Sequence, residues 1–234
     1  MRKPSARGTL TRESVLDGAL ATADREGFDA VTMRAIAAEV GATPMALYAY
    51  FADKGALHDA LRDRVFADAT ATTLAQRTWR SLLEGMARGI YRVLRAHPYW
   101  TPLLAHTSGL PPSGLDFIER LMKLMLQEGF AAEEAMRAYG CVMSFAVGSV
   151  LFERIMTDDG DVIAKRLALV KELGARAPDR YSSLAVVAAK VDQFRWDDVF
   201  ELGIRSLLAG IEAQCVRPGE RPPTRRRRLT ATRR

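Results

Sequence analysis

The chain has 234 residues, 48% hydrophobic and 26% charged, a balance that suits a globular protein with a sizeable core. It holds no run of 18 or more apolar residues, and its basic start, Met1 to Leu10, lacks the apolar segment of a secretory signal, so we expect a cytoplasmic protein with no membrane partner. The net charge of +6 is concentrated at the ends: residues 217–234 hold eight arginines and one glutamate, so residues 1–216 sum to −1 and the high pI is no sign that the folded body binds nucleic acid.

Hydrophobic periodicity is helical throughout, and no convincing alternating strand pattern occurs, so the expected fold class is all-α. Residues 1–10 form a flexible basic arm with Arg2, Lys3 and Arg7. Thr11 caps a first helix with Leu16, Ala19, Leu20 and Ala23 on one face, and Gly27 ends it. Thr32 starts a short second helix with Ile36, Ala37 and Val40 inward, closed at Gly41. Thr43 caps a third, with Pro44 at the first position, where a missing N–H costs nothing. Leu47 and Phe51 lie on its inner face, which leaves Met45, Ala46, Tyr48, Ala49 and Tyr50 outside. Asp53 caps a fourth helix with Leu57, Leu61 and Val65 inward. Two short helices joined by a tight glycine turn make a helix-turn-helix, a DNA-binding unit that presents the front of its second helix to the major groove. Its domain spans 11–67.

Residues 68–216 read as a larger helical domain. Helices are expected near Trp79 to Ala96, over Trp100 to His106, from a capping-box-like Ser113-x-x-Asp116 to Gly129, over Ala132 to Met156, near Asp161 to Ala175, and from Asp197 to Gln214, with a looser segment from Pro178 to Val191. Residues 217–234, with three prolines and an Arg225 to Arg228 run, have the composition of a disordered tail. Cys141 and Cys215 make no disulfide framework, and His58, His97 and His106 are too scattered for a metal site. Cys141, in a mostly apolar helix, reads as a buried and inert thiol. With no Gly-rich phosphate loop and no nucleophile elbow, neither an enzyme nor a cofactor is expected.

The run from Thr32 to Lys54, followed by Leu57, resembles the DNA-binding signature of the tetracycline-repressor (TetR) family. Its most specific parts are Leu47-Tyr48-x-Tyr50-Phe51-x-x-Lys54 and the upstream Ala37-x-x-Val40-Gly41. A weaker likeness to the family's C-terminal domain covers Asp198 to Glu212. The resemblance implies a repressor that binds a palindromic double-stranded operator as a homodimer and answers to a small-molecule effector; an activator of the same fold stays open. It implies that Arg34 reaches a base edge, that Met45 and Ala46 touch bases, and that Thr32, Thr43, Tyr48, Tyr50 and Lys54 hold phosphates. The chain departs from the pattern at Tyr50, where His is frequent, and carries no Gln or Asn on the recognition helix. Two readings of the basic arm stand, a solvated end or an insertion into the minor groove.

Candidate effector-lining residues are Trp100, Leu103, His106, Phe117, Met122, Met125, Tyr139 and Met143, because methionines and aromatics suit an apolar ligand. Small residues recur at Gly140, Ser144 and Gly148. The last helix sets Gly203 and Gly210 beside Ile204, Leu207 and Ile211. These eight are candidates for a four-helix dimer interface, or else for close packing within one subunit.

Overall fold

A computed structural model describes residues 10–101, 103, 111–157, 162–190 and 193–215. Among them every regular element is helical. The first domain holds α1 (Arg12–Glu26), a 3₁₀ turn at Phe28–Ala30, α2 (Met33–Val40) and α3 (Pro44–Leu47). Then come α4 (Lys54–Thr70), α5 (Trp79–Ala96), a second 3₁₀ turn at Pro98–Trp100, α6 (Pro112–Gln127) and α7 (Ala132–Thr157). The chain closes with α8 (Val162–Arg176), α9 (Pro178–Ala188) and α10 (Trp196–Cys215). The flexible arm, His106 and the Arg-rich tail expected from the sequence lie outside the described residues.

The expected caps form. The hydroxyls of Thr11, Thr32 and Thr43 accept from the N–H of Ser14, Ala35 and Ala46, and Asp53 accepts from Ala56 N–H at 2.7 Å. Gly41 closes α2 at φ 68°, ψ 32°, the left-handed cap that turns the chain toward α3. The expected core faces are buried too: Leu16, Ala19, Ile36, Leu57, Leu61 and Val65 belong to one cluster that continues into Met86, Phe117, Leu121 and Val142 of the second domain.

Two expected elements differ. The stretch 178–191 is a helix to Ala188, with a kink at Tyr181 (φ −125°, ψ 31°). The Ser113–Asp116 capping box does not exist: α6 starts at Pro112 behind Pro111, with no side-chain cap of its own. Proline's fixed φ and missing N–H place Ser113 inside the first turn. Its N–H (2.9 Å) and hydroxyl (2.6 Å) turn instead to Asp63 Oδ1 on α4.

Helix α4 is the one that enters both domains. It packs on α5 so closely that a Cβ on Gly89 would sit 1.7 Å from the carbonyl oxygen of Ala69, and in the turn that follows α4 one on Gly85 would sit 2.4 Å from the Thr73 methyl. The Gly89 contact is backbone against backbone, so neither side can yield by rotating a side chain. Gly89→Ala is therefore expected to cost more than an ordinary overpacked core site, about 2–3 kcal/mol, read as a lowered midpoint in urea denaturation. A wild-type midpoint would refute this seam.

Candidate DNA-recognition surface and effector domain

The recognition turn is built on two buried anchors. Leu47 and Phe51 are shielded from solvent, while Met45 (79% exposed), Tyr48 (49%) and Tyr50 (38%) project from the surface. Regular α-helix covers only Pro44–Leu47, after which the N–H groups of Tyr50 and Phe51 both close on the Leu47 carbonyl at 3.0 and 3.1 Å. The tightened turn splays the tyrosines outward while it keeps Phe51 inside. Arg34 on α2 and Lys54 at the start of α4 are exposed, and Ala46 is half-buried.

The geometry sorts these residues chemically. Thr32 and Thr43 use a hydroxyl lone pair for their helix caps, and each O–H proton stays free for a phosphate oxygen. Tyr48 forms no protein hydrogen bond among the described residues. Tyr50 differs, because its hydroxyl donates to the Leu10 carbonyl at 2.5 Å. A phenol has one proton, so in this state Tyr50 has none to give a phosphate. Arg12 lies over the Phe51 ring at 5.1 Å, and Leu10 packs against the core. The start of the described chain is thus pinned to the recognition turn, a role for Leu10 that the sequence did not signal.

Two polar joints tie the first domain to the second. His97 Nδ1 lies 2.8 Å from Asp24 Oδ2 of α1, and its ring stacks on Trp100 at 3.8 Å and 6°. Asp63 of α4 holds Ser113 of α6, as described above. The Pro98–Trp100 turn is braced further by Arg154 of α7, which donates to the Pro98 carbonyl at 3.0 Å and lies over Tyr99. The partners stand 73, 50 and 56 positions apart, so no local pattern could have found them.

Of the candidate effector-lining residues, Phe117, Met125, Leu103 and Trp100 are buried in the core, and Met122, Tyr139 and Met143 are half-buried against it. Burial pushes the Tyr139 phenol pKa up. Phe117 meets Phe66 of α4 edge-on at 5.8 Å. Between α4 and α5, Val65, Phe66, Ala69, Ile90, Val93 and Leu94 line a space of only about 10 Å³. An open groove of about 290 Å³ lies beside it, lined by Asp68, Arg92, Val93, Ala96, His97 and Trp100. The Trp100 indole N–H is buried and has no acceptor among the described residues.

The interface candidates divide. A Cβ on Gly140, Gly148 or Gly210 would meet nothing within 4 Å, and Ser144 is exposed, so these four face outward. Leu207 is half-buried against the core. Ile204 and Ile211 are corrected: both are already buried in the single subunit and have little or no surface to lose to a partner. Gly203 is used internally as well, since a Cβ there would sit 2.3 Å from the Phe145 ring. The outward large apolar residues on α7 and α10 are Met136, Leu151, Phe152, Ile155, Val199 and Leu202. Phe152 and Val199 line a groove of about 380 Å³ together with Phe145, Trp196 and Phe200. Under it Tyr91 stacks on Phe200 and donates to Glu153 at 2.9 Å; burial first, then that carboxylate, push its pKa upward and keep it protonated. Cys141 is exposed and lines a neighbouring groove of about 340 Å³, contrary to the buried thiol expected.

A three-helix unit with an outward tyrosine-bearing turn, joined by a shared helix to a larger helical domain, is a helix-turn-helix transcription regulator. Residues 15–61 match the family of bacterial regulatory proteins called tetR, and residues 73–215 match the tetracyclin repressor-like C-terminal domain. The chain belongs to the TetR family. It is 31% identical to the HTH-type transcriptional repressor DrrR1 of Streptomyces coeruleorubidus, over 95% of this chain and 86% of that one. It is 28% identical to the class D tetracycline repressor protein of Escherichia coli, over 88% and 90% of the two chains. The crystal structure of the Streptomyces coelicolor TetR family protein ActR in complex with actinorhodin superposes with a TM-score of 0.67 at 25% identity, covering 88% of this chain and 98% of that one.

The outward face of α7 and α10 generates a test. Introducing charge with Phe152→Arg and Leu202→Arg, both exposed in one subunit, is expected to leave helicity unchanged and to convert a dimer to a monomer in sedimentation velocity. A double variant that sediments like wild type would remove this face from the interface.

Proposed function

We propose that the chain is a cytoplasmic repressor that holds a near-palindromic operator as a homodimer and releases it when a small, largely apolar effector binds the second domain. The observation that carries this reading is the split of the recognition turn, with Leu47 and Phe51 buried and Met45 and Tyr48 projecting. Arg34 reads a base edge, Met45 and Ala46 make apolar base contacts, and Thr32, Thr43, Tyr48 and Lys54 grip phosphates. Two such turns about 34–36 Å apart enter successive major grooves.

Release follows from the tightness of the core. A drug-sized ligand needs a few hundred Å³, and the space enclosed between α4 and α5 offers about 10 Å³. An effector that enters from the groove at Trp100 to sit among Val65, Phe66, Ile90 and Leu94 therefore has to displace α4 or α5. The unpaired Trp100 N–H supplies a donor for an acceptor on that ligand, and its burial makes such a bond worth more than it would be in water. Because α4 carries Lys54 at one end and the Ala69–Gly89 seam at the other, its displacement alters the spacing of the two recognition turns. Each 1.4 kcal/mol or so of preference for the displaced state weakens operator binding about tenfold.

Selection from a random DNA pool tests the reading. Wild type is expected to enrich a palindrome. Tyr48→Ala is expected to weaken binding to all sequences by about tenfold, and Arg34→Ala to relax one position per half-site by about 1–3 kcal/mol. Failure to enrich any palindrome would contradict the assignment.

A further inference from the structure

Five arginines lie in the first domain, and three of them are matched by carboxylates. Arg25 pairs with Glu39 at 2.9 Å, Arg62 with Asp59 at 3.1 Å and Arg64 with Asp68 at 3.2 Å. The other two are exposed and make no ion pair among the described residues: Arg34, assigned above to a base edge, and Arg12 in the first turn of α1. An unpaired surface arginine is commonplace, but this one is held in place. The Arg12 guanidinium lies over the ring of Phe51 at 5.1 Å, and Phe51 is a buried anchor of the recognition turn. Two residues back, the Leu10 carbonyl accepts the Tyr50 hydroxyl at 2.5 Å, while the Leu10 side chain packs against the core. Between them Thr11 caps α1 through the Ser14 N–H. Residues 10–12 are thus fastened at both ends to Tyr50 and Phe51. A ring beneath a guanidinium engages its face and leaves the in-plane N–H donors free for an anion.

We propose that Arg12 binds an operator phosphate beside the recognition turn, and that Tyr50 is a positioning residue that acts through it. The Tyr50 hydroxyl holds the Leu10 carbonyl and so seats Arg12 on Phe51, instead of gripping a phosphate itself. The inference rests on the DNA-binding reading above. Seating matters because a long side chain loses rotamer freedom when it is fixed on a ligand. A guanidinium already held on a ring loses less of it when the phosphate arrives. The contact is sequence-independent, since phosphate oxygens look alike along the duplex. One such contact in each subunit of a dimer makes two per operator.

The test measures affinity for an operator drawn from the selection, between about 50 and 200 mM salt. It compares the full chain with Arg12→Ala, Arg12→Lys, Tyr50→Phe and the combination of Arg12→Ala with Tyr50→Phe. Each phosphate contact adds about 0.9 to the slope of log affinity against log salt. Arg12→Ala is therefore expected to lower the slope by about 1.8, so that the advantage of wild type shrinks about twelvefold across this salt range. The sequence it selects from a random pool is expected to stay that of wild type. Arg12→Lys keeps the charge and is expected to restore the slope. Tyr50→Phe keeps the ring; it is expected to lower the slope partway when Arg12 is present and to change nothing further when Arg12 is alanine. A loss of folded protein would lower affinity equally at every salt concentration and leave the slope alone. A wild-type slope in Arg12→Ala would overturn the phosphate contact, and a relaxed base preference would show that Arg12 reads bases instead. Additive losses from the two substitutions would overturn the positioning role, because Tyr50 would then touch DNA on its own. If wild type selects no operator at all, it is the underlying DNA-binding assignment that fails.

Discussion

The contact on which the molecule turns is the one between the α4 and α5 backbones. With Gly89 under Ala69 there is no side-chain layer to cushion the crossing, so the two helices meet in a single seating. A helix of 17 residues is about 25 Å long, and α4 spends that length bridging a DNA-facing end at Lys54 and a core-facing end at Thr70. A rigid rod seated at one end carries a small displacement to the other undiminished. A softer crossing would absorb the same displacement by rotamer changes. The glycines in α5 trade helix propensity, about 1 kcal/mol each, for a stiff connection between the domains.

The joints around this seam are of a different kind. Apolar packing tolerates small sliding, whereas hydrogen bonds lose most of their value when donor and acceptor drift or tilt. Asp24–His97 and Asp63–Ser113 both span the boundary; the first is exposed and the second is partly shielded from water. Ser113 follows directly on two prolines in the first turn of the helix that carries the buried Phe117 and Met125. A push on that helix therefore reaches α4 through a bond with a preferred direction as well as through contact at Phe66.

The first domain was legible almost residue by residue, because its signals are local. Caps at Thr11, Thr32, Thr43 and Asp53, the left-handed Gly41, and the Leu47/Phe51 pair each act within four positions along the chain. The second domain was legible as helices but less so as surfaces. Periodicity placed Ile204 and Ile211 on an apolar stripe without revealing which body covers that stripe, and Gly203 looked like Gly210 although only Gly203 meets an aromatic ring. The Ser113 capping motif failed for a related reason: a serine near a helix start satisfies the local rule, but the acceptor it found lies 50 residues back. Tyr50 was read for its exposure, and its bond to a carbonyl 40 residues upstream is invisible to any window of sequence.

The remaining apolar surface is best understood through α7. Ala132–Thr157 is long and apolar enough, by length and hydropathy alone, to cross a membrane, with a mean hydropathy of 1.4 over an 18-residue stretch of it. Its chemistry argues for protein on both sides. Val142, Ala146 and Val150 pack into the subunit's own core, and the opposite side alternates small residues with large ones: Gly140, Ser144 and Gly148 beside Leu151, Phe152 and Ile155. Lipid chains gain nothing from such relief, whereas a neighbouring helix seats its ridges in the gaps the glycines leave. Helix α10 continues the same outward surface through Val199, Leu202 and Gly210. A second copy turned by a two-fold axis would cover both helices at once, and it would hold the two recognition turns at a fixed separation. The apolar cost of leaving α7 bare is thereby tied to the spacing that operator binding needs.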